Sequence, residues 1–509
     1  MDDTAPLSAA PAPPDTPAKS IVPHRGFVLG CLMLAMFMAA VEATVVATAM
    51  PVIIGVLGGF SLYSWVFSAF LLPQAITAIL YGKLADIYGR RPMLVFGISL
   101  FLVGSIACGF AWSMPSLIVF RLIQGVGAGS ILPIATTIAG DIYTQEERMK
   151  VQGYLSSVWG FAAIIGPLVG GIIVQVLSWR WIFWINVPFG VLTVIGLLIY
   201  YREEVKYRAA KLDFAGAGFF TVSVTSLLLV LIQGGHQWPW NSAPVYLLIA
   251  AFVICLGLFL WQENRAPEPI LSLDLWRQRL VAICNAATMI AGMGIIGVSA
   301  LIPTYVQGVM GDSAIVAGFS VTALSVAWSL ASTVFGRIAR YVGGRGAARL
   351  GGLSCMLGGL VFFLLQPGMS AAVPGLGSFF FGFGMGLLTT TSTVMIQSSV
   401  EWSKRGSATA SNIFSRLLGS TLGVAILGSV LNNSLEHQLS GAGMGHVTLD
   451  SMREVLQSHA AGTIDPQQFT LLQHALNIGL HQTFLAVVIV SALAFVMTLF
   501  LPRQSMGSY

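Results

Sequence analysis

Fourteen stretches of this chain are apolar over about the length that a helix needs to cross a lipid bilayer. They lie near 27–50, 62–82, 92–112, 116–138, 151–176, 182–201, 213–233, 245–262, 281–308, 315–335, 347–367, 373–398, 407–432 and 481–501. Roughly 20 helical residues span the hydrocarbon, and backbone polar groups there must be satisfied within the protein, which leaves helices or closed barrels. A barrel strand would show about 10 residues of alternating polarity, and no such alternation occurs. The runs therefore predict an all-α integral membrane protein of fourteen spans. Composition agrees: 9% of the residues are charged, against about 25% in a soluble domain. The Pro- and Ala-rich residues 1–25 read as a disordered tail. A cleaved signal peptide is not expected, because the first run is too long and holds a carboxylate.

The charges orient the chain. Of 25 Lys and Arg, Arg121 and Arg416 lie within runs, Arg180 and Arg453 fall on one face, and the other 21 share the opposite face with both termini. By the positive-inside rule that face is cytoplasmic in a cell membrane. The net charge of +5 thus reflects orientation, and no nucleic-acid partner is expected. The five cysteines lack metal-ligand spacing and read as small buried residues. A long external loop, 433–480, holds several histidines, none spaced i, i+3 or i+4 from another, so no metal site is expected there.

Glu42 stands well inside the first run. An Asp, Lys or Arg at the bilayer centre costs about 2.5–3.5 kcal/mol, and Glu is comparable. Burial opposes ionisation, so Glu42 is suited to load and unload a proton. Arg121, within the fourth run, cannot deprotonate and must face a partner or water. Its approach to Glu42 would favour proton release and its withdrawal uptake, although an interhelical anchor to carbonyls is the simpler role. These groups point to a proton-coupled membrane transporter.

Two segments repeat. Gly82-Lys83-Leu84-Ala85-Asp86-Ile87-Tyr88-Gly89-Arg90-Arg91 follows the second run, and Gly336-Arg337-Ile338-Ala339-Arg340-Tyr341-Val342-Gly343-Gly344-Arg345 follows the tenth, 254 residues later. Parallel six-span halves would separate such copies by six spans. Here the separation is eight, so two spans are inserted between the halves. The expected organisation is a bundle over 26–202, two added helices over 203–265 and a second bundle over 280–501. In the first copy Asp86 can accept hydrogen bonds from a neighbouring helix N-terminus or from Arg90, a lock that opens and closes with conformation.

This loop resembles the signature of the major facilitator superfamily. Arg121, Gln124, Gly125, Gly127 and Gly129 resemble its embedded-arginine motif, and Gly160, Gly166, Pro167, Gly170 and Gly171 its antiporter motif. Glu42, Thr44 and Pro51 resemble the first-span motif of its fourteen-span drug:proton antiporter branch. So do Trp179-Arg180-Trp181, Phe183, Asn186 and Pro188, and Tyr305 with Gln307. The resemblance runs from residue 27 to about 430. It implies the major facilitator fold, two six-helix bundles plus two additional helices, and efflux of small amphipathic or cationic compounds by alternating access. It also implies proton coupling through Glu42 and Arg121, a conformational switch at Gly82, Asp86, Gly89, Arg90 and Arg91, and sliding at the glycines around Pro167. The branch usually has Asp where this chain has Glu42, and spans 10 and 13 hold no acid, which argues against divalent-cation export.

A substrate cavity is expected at Gln74, Trp159, Asn285, Tyr305, Gln307, Asn412 and Arg416, the polar and aromatic residues left within spans. Lacking a phosphate-binding loop, the chain is expected to use ion gradients. One titrating acid implies one proton per cycle. No cofactor, metal or enzymatic constellation is expected, and one pair of bundles suffices as a monomer. Import or export of a single metabolite, siderophore or lipid shares these features, and a non-transporting receptor is the remaining alternative.

Overall fold

The computed structural model describes residues 24–58, 62–203, 213–234, 238–266, 273–312, 314–370, 372–440 and 466–502. Along them run α1 (Arg25–Leu57), α2 (Tyr63–Tyr88), α3 (Arg90–Gly109), α4 (Met114–Ala128), α5 (Ile131–Ile142), α6 (Gln145–Val176), α7 (Trp181–Trp184) and α8 (Asn186–Tyr200). There follow α9 (Phe214–Gln233), α10 (Ala243–Glu263), α11 (Leu273–Arg277), α12 (Arg279–Gly308), α13 (Ala314–Phe363), α14 (Ala372–Ser399), α15 (Arg405–Ser440) and α16 (Pro466–Leu499). No β-strand occurs among the described residues. Twelve helical segments there are long and apolar enough to cross a membrane. One of them is a 48-residue stretch, Val316–Phe363, and the 32-residue α6 is not among the twelve.

The helices sort into two bundles because their apolar side chains find different partners. Leu94, Ile98, Phe101 and Ile134 belong to one core among α1–α8, and Val46, Ile53, Leu117 and Phe183 to a second core there. Phe362, Phe381 and Phe484 centre the core shared by α12–α16. Helices α9 and α10 pack on each other, and their Phe220 and Phe259 join Leu72 and Ile76 of α2 and Phe414 of α15. The bundles meet along two seams, α6 against α13 and α2 against α15.

The internal repeat has a backbone signature. Gly89 (φ 97°) ends α2 and Gly343 (φ 70°) interrupts α13, again 254 residues apart, and both angles are ones that favour glycine. The Asp86 counterpart, Arg340, is exposed. Asp86 faces the start of α15, whereas the start of α6 is capped by its own Thr144 and Glu147. A second acid is therefore not needed there.

Several expectations change. The long loop is helical at both ends: α15 continues to Ser440 and α16 begins at Pro466. These polar turns are invisible to a hydropathy reading, which sees only the membrane-deep part of each helix. His446 and His459 lie outside the described residues, as do residues 1–23 of the tail. Cys108, Cys284 and Cys355 are buried, but Cys31 and Cys255 are only half-buried.

Candidate functional site

The embedded pair comes from two helices that the chain separates by 79 residues. Ser113 starts α4 with a capping box, which fixes the helix so that Arg121 points into the first bundle two turns on. There its Nη1 donates to Glu42 Oε1 and to Gln124 Oε1 at 2.8 Å, while Nε donates to Val66 O at 3.3 Å. The guanidinium lies 4.3 Å from the Phe70 ring centroid. Asn186, at the start of α8, donates from Nδ2 to Glu42 Oε2 at 2.6 Å and to Ser105 Oγ at 3.1 Å. Ser105 also accepts from Gln124 Nε2 and donates to Phe183 O. Gly104 makes this possible: a Cβ there would lie 2.6 Å from Gln124 Cα, so α3 could not approach α4.

Glu42 and Arg121 are each 1% exposed. Both carboxylate oxygens accept from N–H donors, the pattern an ionised carboxylate requires. Of the two donors, Asn186 on Oε2 is the neutral one and Arg121 on Oε1 the charged one. Ser105 and Asn186 complete the site; the sequence marks Asn186 only as part of a motif.

A second constellation lies where α2 meets α15, at the basic end. Asp86 accepts from Gly406 N (3.0 Å), Ser407 N (2.7 Å) and Ser407 Oγ (2.8 Å), and from Arg90 at 3.2 Å. Arg90 is 3.0 Å from Asp141 and 3.8 Å from Glu203, donates to Trp402 O and stacks 3.8 Å from the Trp402 ring centroid. Arg405 reaches Asp141 at 3.2 Å. Arg91 turns away, donating from its backbone to Glu203 and from its side chain to Leu198 O. Gly82 faces Gly406 O, 2.9 Å from where a Cβ would sit. Gln397 adds a further link, donating to Thr136 O across the bundles. Asp141, Glu203, Trp402 and Arg405 come from three segments, the end of α5, the stretch after α8 and the start of α15, and share no spacing that the sequence would reveal.

The antiporter glycines divide. Gly160 sits against Ser325 O and Ser329 of α13, and Gly166 against Thr44 of α1. Gly171 has open space where a side chain would go, so tight helix contact does not explain it. Gly170 is buried, and α6 stays helical through Pro167.

The cavity candidates also separate. Trp159 is 40% exposed, Gln74 is half-buried and Gln307 is exposed. Asn285 and Asn412 are buried and bonded to each other and to Ser411 and Thr288 within the second bundle. Tyr305 is fully buried against His481 and Phe484. An aromatic ring in an apolar run fits a core or a cavity wall equally well. Arg416 lies over Trp328, 5.6 Å from the ring centroid.

Comparison with known proteins accords with this architecture. A model of the Major Facilitator Superfamily matches residues 32–424. Multidrug resistance protein 3 of Bacillus subtilis (strain 168) is 35% identical over 443 residues, 87% of this chain and 85% of the relative. Multidrug transporter protein MdtP of the same organism is 35% identical over 454 residues, 88% and 83% of the two chains. The solved structure of the proton:xylose symporter XylE superposes with a TM-score of 0.62 over 94% of this chain and 96% of that one, at 14% identity, a likeness of fold alone. The chain belongs to the major facilitator superfamily and is a multi-pass membrane transporter, not an enzyme.

Proposed function

We propose that this transporter exports small amphipathic compounds across the cell membrane in exchange for protons, by alternating access between its two bundles. The observation that carries the reading is the Glu42 carboxylate, sealed in the first bundle with an arginine on one oxygen and an amide on the other. Such a group is retained in apolar surroundings for use, and a proton is the ligand its chemistry takes. The names of the relatives support efflux of drug-like compounds as the task.

The span count is read as fourteen. A straight helix of 50 residues would be about 75 Å long, more than twice a hydrocarbon core, so α13 is two spans divided at Gly343. Helix α6, 32 residues long, supplies the other. The drug:proton antiporter branch has this count. An even number returns both termini to one side, and the basic end is taken as cytoplasmic. The bundles then correspond to 26–202 and 280–501, with α9 and α10 as the inserted pair.

In the cycle, the bonds of Asp86, Arg90 and Arg405 close the cytoplasmic end. A proton arriving from outside neutralises Glu42 by displacing Asn186, which frees Arg121 to relax toward Gln124 and Val66 O. The helices α4 and α8 that hold these groups transmit the change to the bundle, the basic-end bonds release, and the proton leaves inward as substrate enters. At about 150 mV each charge moved supplies roughly 3.5 kcal/mol, near a 300-fold gradient.

The test is Glu42→Gln in inside-out vesicles with an imposed pH gradient. Proton-driven dye uptake should vanish while the purified variant remains monodisperse. Wild-type uptake by Glu42→Gln would remove the proposed coupling.

A further inference from the structure

Arg416 stands eleven residues into α15, about 16 Å along the helix from Arg405, and the second bundle gives its charge no answer. Helices α12 to α16 contain one carboxylate, Glu436, which lies about 30 Å further along α15. Asp312 and Glu401 are in loops at opposite ends. Among the described residues no carboxylate is within ion-pair distance of the Arg416 guanidinium, whose neighbour is the Trp328 ring of α13 at 5.6 Å. Arg121 and Arg90, the other deeply placed arginines, each have carboxylates at hand.

The contact places this pair on a particular face. Helix α13 packs on α6 of the first bundle through Ser325 and Ser329, and α15 packs on α2 through Phe414, Leu417 and Leu418. A side chain that reaches from α15 to α13 therefore lies between the two seams, on the side of the second bundle turned toward the first. Both residues are half-buried there. A guanidinium at such depth calls for an anion or water. It offers a planar fork of donors suited to a carboxylate or sulfonate, and an indole beside it offers a stacking surface.

The geometry points to a recognition site for the acidic group of an aromatic or amphipathic substrate, with Arg416 binding the anion and Trp328 the ring. The assignment rests on the transport reading above and narrows its substrate class to organic monoanions, since a cation of the same shape is repelled. Exchange of a monoanion for a proton moves two charges inward per cycle, so export responds to membrane potential as well as to pH.

Three probes with one ring system separate charge from shape: naphthalene-2-sulfonate, the neutral naphthalene-2-sulfonamide and the N,N,N-trimethyl-2-naphthylammonium cation. Binding of each to the purified full chain is measured by calorimetry, and proton-driven uptake in proteoliposomes. Wild type should bind the sulfonate tightest. Arg416→Gln should lose roughly 10- to 150-fold in sulfonate affinity with the sulfonamide unchanged, Arg416→Lys should keep most of it, and Trp328→Leu should weaken all three alike. Should Arg416→Gln not fold, the wild-type charge preference and Arg416→Lys decide. Preference for the cation, no binding of any probe, or equal losses for all three in Arg416→Gln would overturn the site. Binding preference without any proton-linked flux would instead count against the exporter reading and leave the site standing.

Discussion

Replacing Asp86 by Asn should open the basic end of the molecule. The carboxylate accepts two backbone N–H groups and one hydroxyl at the start of α15 and also faces Arg90. An amide keeps one acceptor and turns its NH2 toward a backbone N–H, donor against donor. It also removes the negative charge from a helix N-terminus. Arg90 is not abandoned, since Asp141 and Glu203 remain. The loss is therefore that of the α15 contacts, about 2–3 kcal/mol for a charge-assisted group, or roughly 30- to 150-fold in the closed-to-open ratio. A cysteine at Thr136, which is buried behind the Gln397 link, reports opening in a background free of native cysteines. Its alkylation by a water-soluble maleimide in inside-out vesicles should speed up by that factor in Asp86→Asn. An unchanged rate would refute the lock, because these bonds would then persist in both conformations or matter to neither.

Asn186→Ala should lower proton-driven flux by about tenfold or more by removing a charge-assisted bond, while leaving substrate binding intact. Unaltered flux would exclude Asn186 from the proton path. Thr144→Val should lower the stability of the purified protein by about 1 kcal/mol, the usual worth of an N-cap. The Thr144 backbone N–H, and then the Arg25 charge, hold Glu147 below its ordinary carboxylate value of 4.5. Its contribution is thus present above that value and lost as pH falls through the folded one, so wild type and Thr144→Val should both lose stability as pH falls below 4.5, because the backbone N–H and Arg25 remain in the variant.

What the sequence reveals follows from how far each effect reaches. Spanning helices are legible because the bilayer sets their length, and the pairing of Glu42 with Arg121 because each is intolerable alone in hydrocarbon. The bond between Ser105 and Gln124 is not, since neutral polar residues in a helix carry no sign of a distant partner. The cluster around Arg90 draws on α2, α3, α5 and the ends of α8 and α15, and only folding brings these together. Glycines mark close approach at positions 82, 160 and 166 but not at 171, because spacing does not say which face meets a neighbour. Tyr305 shows the same limit: residue type does not distinguish core from cavity when both are apolar.

The most direct measurement is proton release from detergent-purified protein in weak buffer as naphthalene-2-sulfonate is added. The account predicts about one proton per bound substrate from wild type and none from Glu42→Gln at equal occupancy. Equal release from both proteins would show that the proton is carried elsewhere.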